Sequence, residues 1–428
     1  MIDVSEYKHP KGLYLLFCVE MWERFSYYGM RALLVLYMVQ TLMYSAQKAG
    51  SIYGWYTGLV YLTPLLGGYL ADRYFGQRKC ITAGAIFMIL GLLLLAFGPK
   101  SLFLFSLFLM IAANGFIKSN ISSVLGLLYG DNNKQKDSAF TIFYMGINVG
   151  AFLSPLVCGT LAVKYGFQYG FAAAGIGMLL GLLCYKLFEN KLLGESGLHP
   201  VQIKKSFDEE SLPLTDIQKQ QLTSLIILII FTIPFWICFE QAGSSLTLFA
   251  QSATNRVFFG HQIPTEYFQS LNPFFIITLA PVMSLLWEKL RQREKEPTSA
   301  EKFAVSLFLM TIAYIILAFA GYISNGSELS PLWLVAVYFI MTLSELCLSP
   351  IGLSLVSKLA PKQFLSVTMG GWFLMCFSGN LLAGLLGGEY EKLSHWELFG
   401  GLAGLAFMSF VILLFFIPKL NKSLNIIK

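Results

Sequence analysis

Twelve apolar stretches, each long enough to cross the ~30 Å hydrocarbon core of a bilayer, recur along this 428-residue chain. They lie near residues 12–42, 51–72, 79–98, 101–128, 138–163, 168–189, 221–250, 265–290, 302–323, 331–357, 363–387 and 396–418. Hydrocarbon offers no water to a free backbone N–H or C=O, so stretches of this length are expected to be helices. Composition agrees, with 56% hydrophobic and 13% charged residues against a usage of about 25% charged in soluble domains. The expected fold is therefore an all-α, multi-pass membrane protein with membrane lipid around it.

The 30 Lys and Arg fix an orientation. With both termini inside, 22 fall in inner segments and five in outer ones (Lys48, Lys100, Lys164, Arg256 and Lys392), while Arg24, Arg31 and Lys118 lie within spans. That asymmetry follows the positive-inside rule and predicts cytoplasmic termini in the cytoplasmic membrane. The net charge of +6 is thus topological and gives no support to nucleic-acid binding. Asp3 and Glu6 open the chain without a cleavage-site pattern, so no signal peptide is expected. The seven cysteines are scattered without a C-x-x-C pair and read as buried thiols. His9, His199, His261 and His395 fall in loops or at helix ends, leaving carboxylates as the carriers of any intramembrane proton. No metal-ligand cluster or serine triad stands out at membrane depth, so neither a metal, a cofactor nor an enzyme activity is expected.

The first span is anomalous. It reads Glu20-Met-Trp-Glu23-Arg24-Phe-Ser-Tyr-Tyr-Gly-Met-Arg31, placing four ionisable groups where hydrocarbon should be. Each costs about 2.5–3.5 kcal/mol at a helix centre on insertion scales. Their spacing of i, i+3, i+4 and i+11, with Tyr27 at i+7, puts them on one helical stripe that must line a cavity or meet other helices. Three more charges lie in other spans: Lys118 in the fourth, Glu240 in the seventh and Glu345 in the tenth. Odd spans run outward and even spans inward, which sets Arg31 and Glu240 at one depth, toward the outer face, and Lys118 and Glu345 at another, near the middle. Each pair suits either a static ion pair or a salt bridge that forms and breaks as the halves move, because an unpaired buried charge is costly. Asn148 and Asn272 offer amides as interhelical glue or as cavity groups. Tyr28, Tyr61, Trp236 and Trp372 are packing residues or pocket walls.

A polar interruption at about 190–220, including Asp208, Glu209, Glu210 and Pro213, divides six spans from six. The predicted organisation is a six-helix bundle over 1–190, a cytoplasmic linker over 191–220 and a second bundle over 221–428. This is the plan of a major-facilitator transporter, whose substrate site lies between halves. The loop Gly68-x-x-x-Asp72-Arg73-x-x-Gly76-x-Arg78-Lys79 resembles that superfamily's helix 2–3 motif. There Gly68 is expected to allow close helix approach and Asp72 to cap the neighbouring helix.

Five motifs in order carry a narrower likeness. Glu20-x-x-Glu23-Arg24-Phe25-x-Tyr27-Tyr28-Gly29 resembles the first-helix motif of the proton-dependent oligopeptide transporter family. Gly115-Phe116-Ile117-Lys118-Ser119-Asn120 resembles its fourth-helix lysine motif, and Phe143-Tyr144-Met145-Gly146-Ile147-Asn148-Val149-Gly150 its fifth-helix hallmark. Phe235-Trp236-Ile237-Cys238-Phe239-Glu240-Gln241 and Glu345-Leu346-Cys347-Leu348-Ser349-Pro350 resemble its seventh- and tenth-helix elements. The resemblance implies that Glu20, Glu23, Arg24 and Lys118 form a proton-coupling network. Arg24 and Lys118 would receive a peptide carboxylate, while Glu345, Asn148 and Asn272 would hold the amino end. Arg31–Glu240 would be an outer gating salt bridge, and Tyr28, Tyr61, Trp236 and Trp372 would line side-chain pockets. The chain departs from the family in three places. The short linker leaves no room for the two extra helices of many bacterial members, Ser119 stands where proline usually follows the lysine, and the second helix lacks the histidine of animal members.

The resulting expectation is a monomeric symporter that imports di- and tripeptides with protons by alternating access. A zwitterion of fixed ends and variable side chains calls for a fixed cation, a fixed anion and roomy pockets between them. The alternatives are a proton-coupled carrier of nitrate or another small anion, and a membrane sensor that binds peptide without transport.

Overall fold

The computed structural model describes residues 9–130, 133–200, 214–258, 260–324, 326–361 and 364–424. Nearly all of them are helical. Six helices come first: α1 (Lys11–Gln40), α2 (Ala46–Leu70), α3 (Gln77–Phe97), α4 (Phe103–Tyr129), α5 (Asn133–Tyr165) and α6 (Phe167–Leu193). Eight follow: α7 (Asp216–Ile230), α8 (Thr232–Phe239), α9 (Ser245–Ser252), α10 (Leu271–Gln292), α11 (Ser299–Ser324), α12 (Leu332–Leu359), α13 (Leu365–Gly387) and α14 (His395–Leu424). Every predicted span falls on one of these helices or on a short run of them. Among the described residues ten segments are apolar and long enough to cross a membrane. In α1 the four ionisable residues break the apolar run, and in α2 glycines and tyrosines dilute it.

Two spans depart from the continuous helices expected. The seventh is broken into α7, α8, a 3₁₀ turn over Glu240–Gly243, and α9. Pro234 explains the first break, since it has no N–H for the Ile230 carbonyl four residues back and its ring crowds that carbonyl. The eighth begins as a 3₁₀ segment, Thr265–Ser270, before α10. Of the linker, residues 201–213, with Asp208, Glu209, Glu210 and Pro213, lie outside the described residues. Its far end is a capping box. The Gln218 N–H donates to Thr215 Oγ1 at 3.3 Å, and the Thr215 N–H donates to Gln218 Oε1 at 3.0 Å.

The chain forms two compact units. The first draws on residues 1–37 and 59–204, the second on 38–58 and 205–428. Helix α2 therefore contributes to both, its first half to the second unit.

In the first unit the helix 2–3 loop is a π-helical turn, Ala71–Phe75, closed by Gly76 at φ 81°. Asp72 accepts from the Gln77 side chain at 2.6 Å rather than from a backbone N–H at the start of α3. Buried Arg78 reaches the end of α6. Its Nε donates to Glu189 at 3.2 Å, Nη1 to the Gly194 carbonyl at 2.8 Å and Nη2 to Asn190 Oδ1 at 2.5 Å. A guanidinium with partners on three nitrogens satisfies the backbone and carboxylate left at a helix C-terminus. The close contact between α2 and α4 is at Gly67, not Gly68. A Cβ at Gly67 would lie 1.9 Å from the Gly115 carbonyl oxygen, whereas at Gly68 the nearest atom is 3.4 Å away.

In the second unit, loop 253–264 carries a small antiparallel hairpin, β1 (Val257–Phe258) with β2 (His261–Gln262). It is tied to the α11–α12 loop by Asn255 N–H donating to the Leu329 carbonyl at 2.8 Å. Arg256 donates to the Ile263 carbonyl at 3.3 Å. Burial draws the Arg256 guanidinium below its ordinary value, an effect opposed by the Glu266 and Glu328 carboxylates.

Candidate functional site

In the first unit, α1 carries the charged stripe into the interior. Glu20 is 3% exposed, Glu23 0% and Arg24 4%. Arg24 Nε donates to Glu20 Oε1 at 2.9 Å and lies 2.6 Å from Glu23 Oε2. A single N–H cannot serve both acceptors well, so Glu20 takes the hydrogen bond and Glu23 is held by charge. Glu20 Oε2, Glu23 Oε1 and Arg24 Nη2 are buried without a hydrogen-bond partner. Two carboxylates thus share one guanidinium in a buried environment, where each lost partner costs most.

Neighbouring helices hold this trio in place. A Cβ at Gly150 of α5 would lie 2.2 Å from the Met21 carbonyl and 3.1 Å from Arg24 Cβ, so only glycine lets α5 approach α1 here. Two residues earlier, Asn148 is 3% exposed and donates to the Tyr144 carbonyl of its own helix at 3.0 Å. Lys118 lies within electrostatic reach of Glu23. Its Nζ sits 4.3 Å from the centre of the Tyr61 ring, a cation–π contact across α4 and α2. Ser119, in the place of the usual proline, donates to the Pro64 carbonyl at 3.1 Å and so ties α4 to α2 beside Lys118. The Arg31 guanidinium lies 5.7 Å from the Tyr28 ring centre, and that of Arg24 lies 5.7 Å from Tyr27.

In the second unit Asn272 of α10 and Glu345 of α12 meet directly. Asn272 Nδ2 donates to Glu345 Oε2 at 2.9 Å and to Thr342 Oγ1 at 3.2 Å. Thr342 spends its own proton on the Tyr338 carbonyl at 2.7 Å, which leaves its oxygen free to accept from Asn272. Thr342 is not among the residues expected at the site. Its position one turn before Glu345, on the same helix face, was the available signal. Ser344 hydrogen-bonds Ser306 of α11 at 2.9 Å and steadies α12 at this level.

Glu240, 3% exposed, begins the 3₁₀ turn that interrupts the seventh span. The next residue, Gln241, is the hub of that break and is likewise not among the residues expected at the site. Its Nε2 donates to the Ile237 and Ala383 carbonyls at 3.1 and 3.0 Å, and its Oε1 accepts from Ser245 at 2.5 Å. Trp236 is buried with its Cβ against Gly379, its ring 5.1 Å from that of Phe235 and 5.7 Å from that of Phe239. Trp372 is buried with its ring over Gly352. Among the described residues no group of three or more His, Cys, Asp or Glu could hold a metal ion.

A helical membrane protein with a guanidinium shared by two buried glutamates on its first helix, and an amide–carboxylate pair on later ones, has the features of a secondary transporter of the major facilitator fold. The comparison with known proteins is more specific. The sequence model of the POT family matches residues 78–193 and 203–395, and the chain belongs to that family. It is 34% identical over 451 aligned positions to "Peptide transporter YePEPT" of Yersinia enterocolitica subsp. palearctica serotype O:3 (strain YE-P4), covering 90% of this chain and 88% of that protein. It is 30% identical to "Dipeptide and tripeptide permease A" of Proteus mirabilis (strain HI4320), covering 89% and 87%. The crystal structure of peptide transporter POT in complex with sulfate superposes with a TM-score of 0.90 at 34% identity, covering 97% of this chain and 96% of that one.

Proposed function

We propose that this chain is a proton-coupled symporter that imports di- and tripeptides across the cytoplasmic membrane by alternating access. It works as a monomer with both termini in the cytoplasm, and protons rather than a bound cofactor drive it. The observation that carries the proposal is Arg24 between Glu20 and Glu23, buried together with Lys118 in electrostatic reach. A cation held by two carboxylates can exchange one of them for a substrate carboxylate, and the released glutamate then takes a proton. Lys118 shares the substrate carboxylate. The amino end is received by Glu345 and Asn272, with Asn148 as a further polar group. Tyr28, Tyr61, Trp236 and Trp372 bound the side-chain space, and Arg31 with Glu240 serves the outer gate. The names of the relatives, a peptide transporter and a dipeptide and tripeptide permease, support the substrate class.

The test is uptake of labelled dialanine into proteoliposomes under an inward proton gradient. Accumulation that collapses with a protonophore is expected. Tight dialanine binding with flat uptake would instead identify a sensor, and proton flux elicited by nitrate but not by dialanine would identify an anion carrier.

A further inference from the structure

All seven cysteines are free thiols, and two of them lie close enough to interact across a helix seam. Helices α1 and α6 run antiparallel with close backbone contacts. Ser26 donates to the Ala174 carbonyl at 2.7 Å. Moving toward the start of α1, a Cβ at Gly177 would lie 2.6 Å from the Phe25 ring, and one at Gly181 would lie 2.9 Å from Trp22 Cβ. Further along, a Cβ at Gly12 would lie 2.8 Å from the Leu192 carbonyl. Between these fixed points each turn back along α1 is matched by a turn forward along α6. Cys18, one turn before Trp22, therefore faces Cys184, about one turn after Gly181. The Cys184 thiol and the Trp22 indole both lie close enough to Cys18 to interact with it.

The pair is reachable. Cys18 and Cys184 are half-buried, whereas Cys80, Cys158, Cys238, Cys347 and Cys376 are buried. Exposed Tyr14, Leu183 and Leu187 flank the seam on the side a lipid-soluble reagent would approach. With no third His, Cys, Asp or Glu joining them among the described residues, the two sulfurs do not suit zinc, which takes four ligands. They do suit a soft acid that needs only two thiolates.

We propose that Cys18 and Cys184 form an intramembrane dithiol site for a thiophilic trivalent arsenical. Hydrated phenylarsine oxide carries two As–OH groups. Two As–OH and two S–H bonds break, two As–S bonds form, and two waters leave. Arsenic stays trivalent, so no oxidant is involved. The bridge ties α1, the helix of Glu20, Glu23 and Arg24, to α6.

The test is intact-mass analysis of the purified full chain in detergent after phenylarsine oxide and a monothiol wash. One adduct per chain that resists the monothiol and is released by 2,3-dimercaptopropanol is expected. Cys18→Ser and Cys184→Ser should each retain about tenfold less of it, although five other thiols remain. Co-migration with the native chain on size exclusion verifies the fold, and Cys18→Ala or Cys184→Ala replaces a serine variant that fails this check. A resistant adduct in the Cys18 variants, or none in the native chain, overturns the site.

Discussion

Removal of the Asn272 side chain tests how the amino end of a substrate is held. Both Nδ2 hydrogens of Asn272 are spent, one on Glu345 Oε2 at 2.9 Å and one on Thr342 Oγ1 at 3.2 Å. The amide atom left for substrate is therefore Oδ1, an acceptor, which has the polarity an ammonium requires. Asn272→Ala deletes that acceptor and also the donor that orients Glu345. One hydrogen bond to a charged group contributes about 1.5–3 kcal/mol, which corresponds to a rise in KM on the order of 10- to 150-fold. A peptide with an acetylated amino end has no ammonium to lose, so its weaker uptake should change by less than about threefold by the same accounting. The assay is competition of dialanine and N-acetyl-dialanine against a labelled reporter peptide in proteoliposomes. Asn272→Asp is the companion variant. It sets a second carboxyl beside Glu345, and like charges at that distance cannot both stay ionised, so uptake should gain a dependence on pH that the alanine variant lacks. Equal losses for both peptides in Asn272→Ala would refute the assignment and leave Asn272 as interhelical glue.

Lys118→Ala should abolish uptake driven by a proton gradient while exchange of peptide across the membrane persists; wild-type dependence on external pH in this variant would contradict a coupling role. Dialanine with an amidated carboxyl end should bind at least tenfold more weakly and carry no proton flux, as followed by a pH-sensitive dye inside the vesicles. Gly384→Val should lower the melting temperature, because a Cβ there would lie 2.4 Å from both the Gly50 carbonyl oxygen and Gly54 Cα in α2. Overpacking of this kind costs about 1–3 kcal/mol, and an unchanged melting curve would show that the α2–α13 contact is loose.

Features set by local sequence were legible before the structure. Apolar length is local, so the spans could be read directly, and the charges of α1 stood out because hydrocarbon makes them expensive. What depended on packing was less legible. The helix contact expected at Gly68 is made by Gly67, since one residue turns a helix face by ~100° and only the partner fixes which face is used. The break in the seventh span had its cause in view at Pro234, but hydropathy alone runs straight through it. Thr342 joins the Asn272–Glu345 pair only through α10–α12 contact, and Cys18 and Cys184 are distant in sequence. The assignment of residues 38–58 to the second unit likewise has no local signature, because it rests on contacts such as Gly50 with Gly384.

If the proposed function holds, charge balance in the first unit accounts for a proton accompanying each peptide. With both glutamates ionised, Glu20, Glu23 and Arg24 sum to one negative charge, and Lys118 in electrostatic reach brings the group to neutrality. A substrate carboxylate adds a negative charge to that balanced group. Glu20, Glu23 and Arg24 are 0–4% exposed, so solvent screens that added charge only weakly. The effective penalty for an uncompensated buried ion is several kcal/mol, more than one surface-type hydrogen bond returns. Either the substrate stays out or one carboxylate is neutralised, and Glu23, held to Arg24 by charge without the hydrogen bond that Glu20 receives, is the easier one to release. The minimum is then one proton for each carboxylate admitted. A proton moving inward contributes about 2.3 kcal/mol per 100 mV, comparable to one to two decades of accumulation. Coupling in this scheme needs no dedicated proton wire, because the carboxylate that recognises Arg24 also creates the demand for the proton.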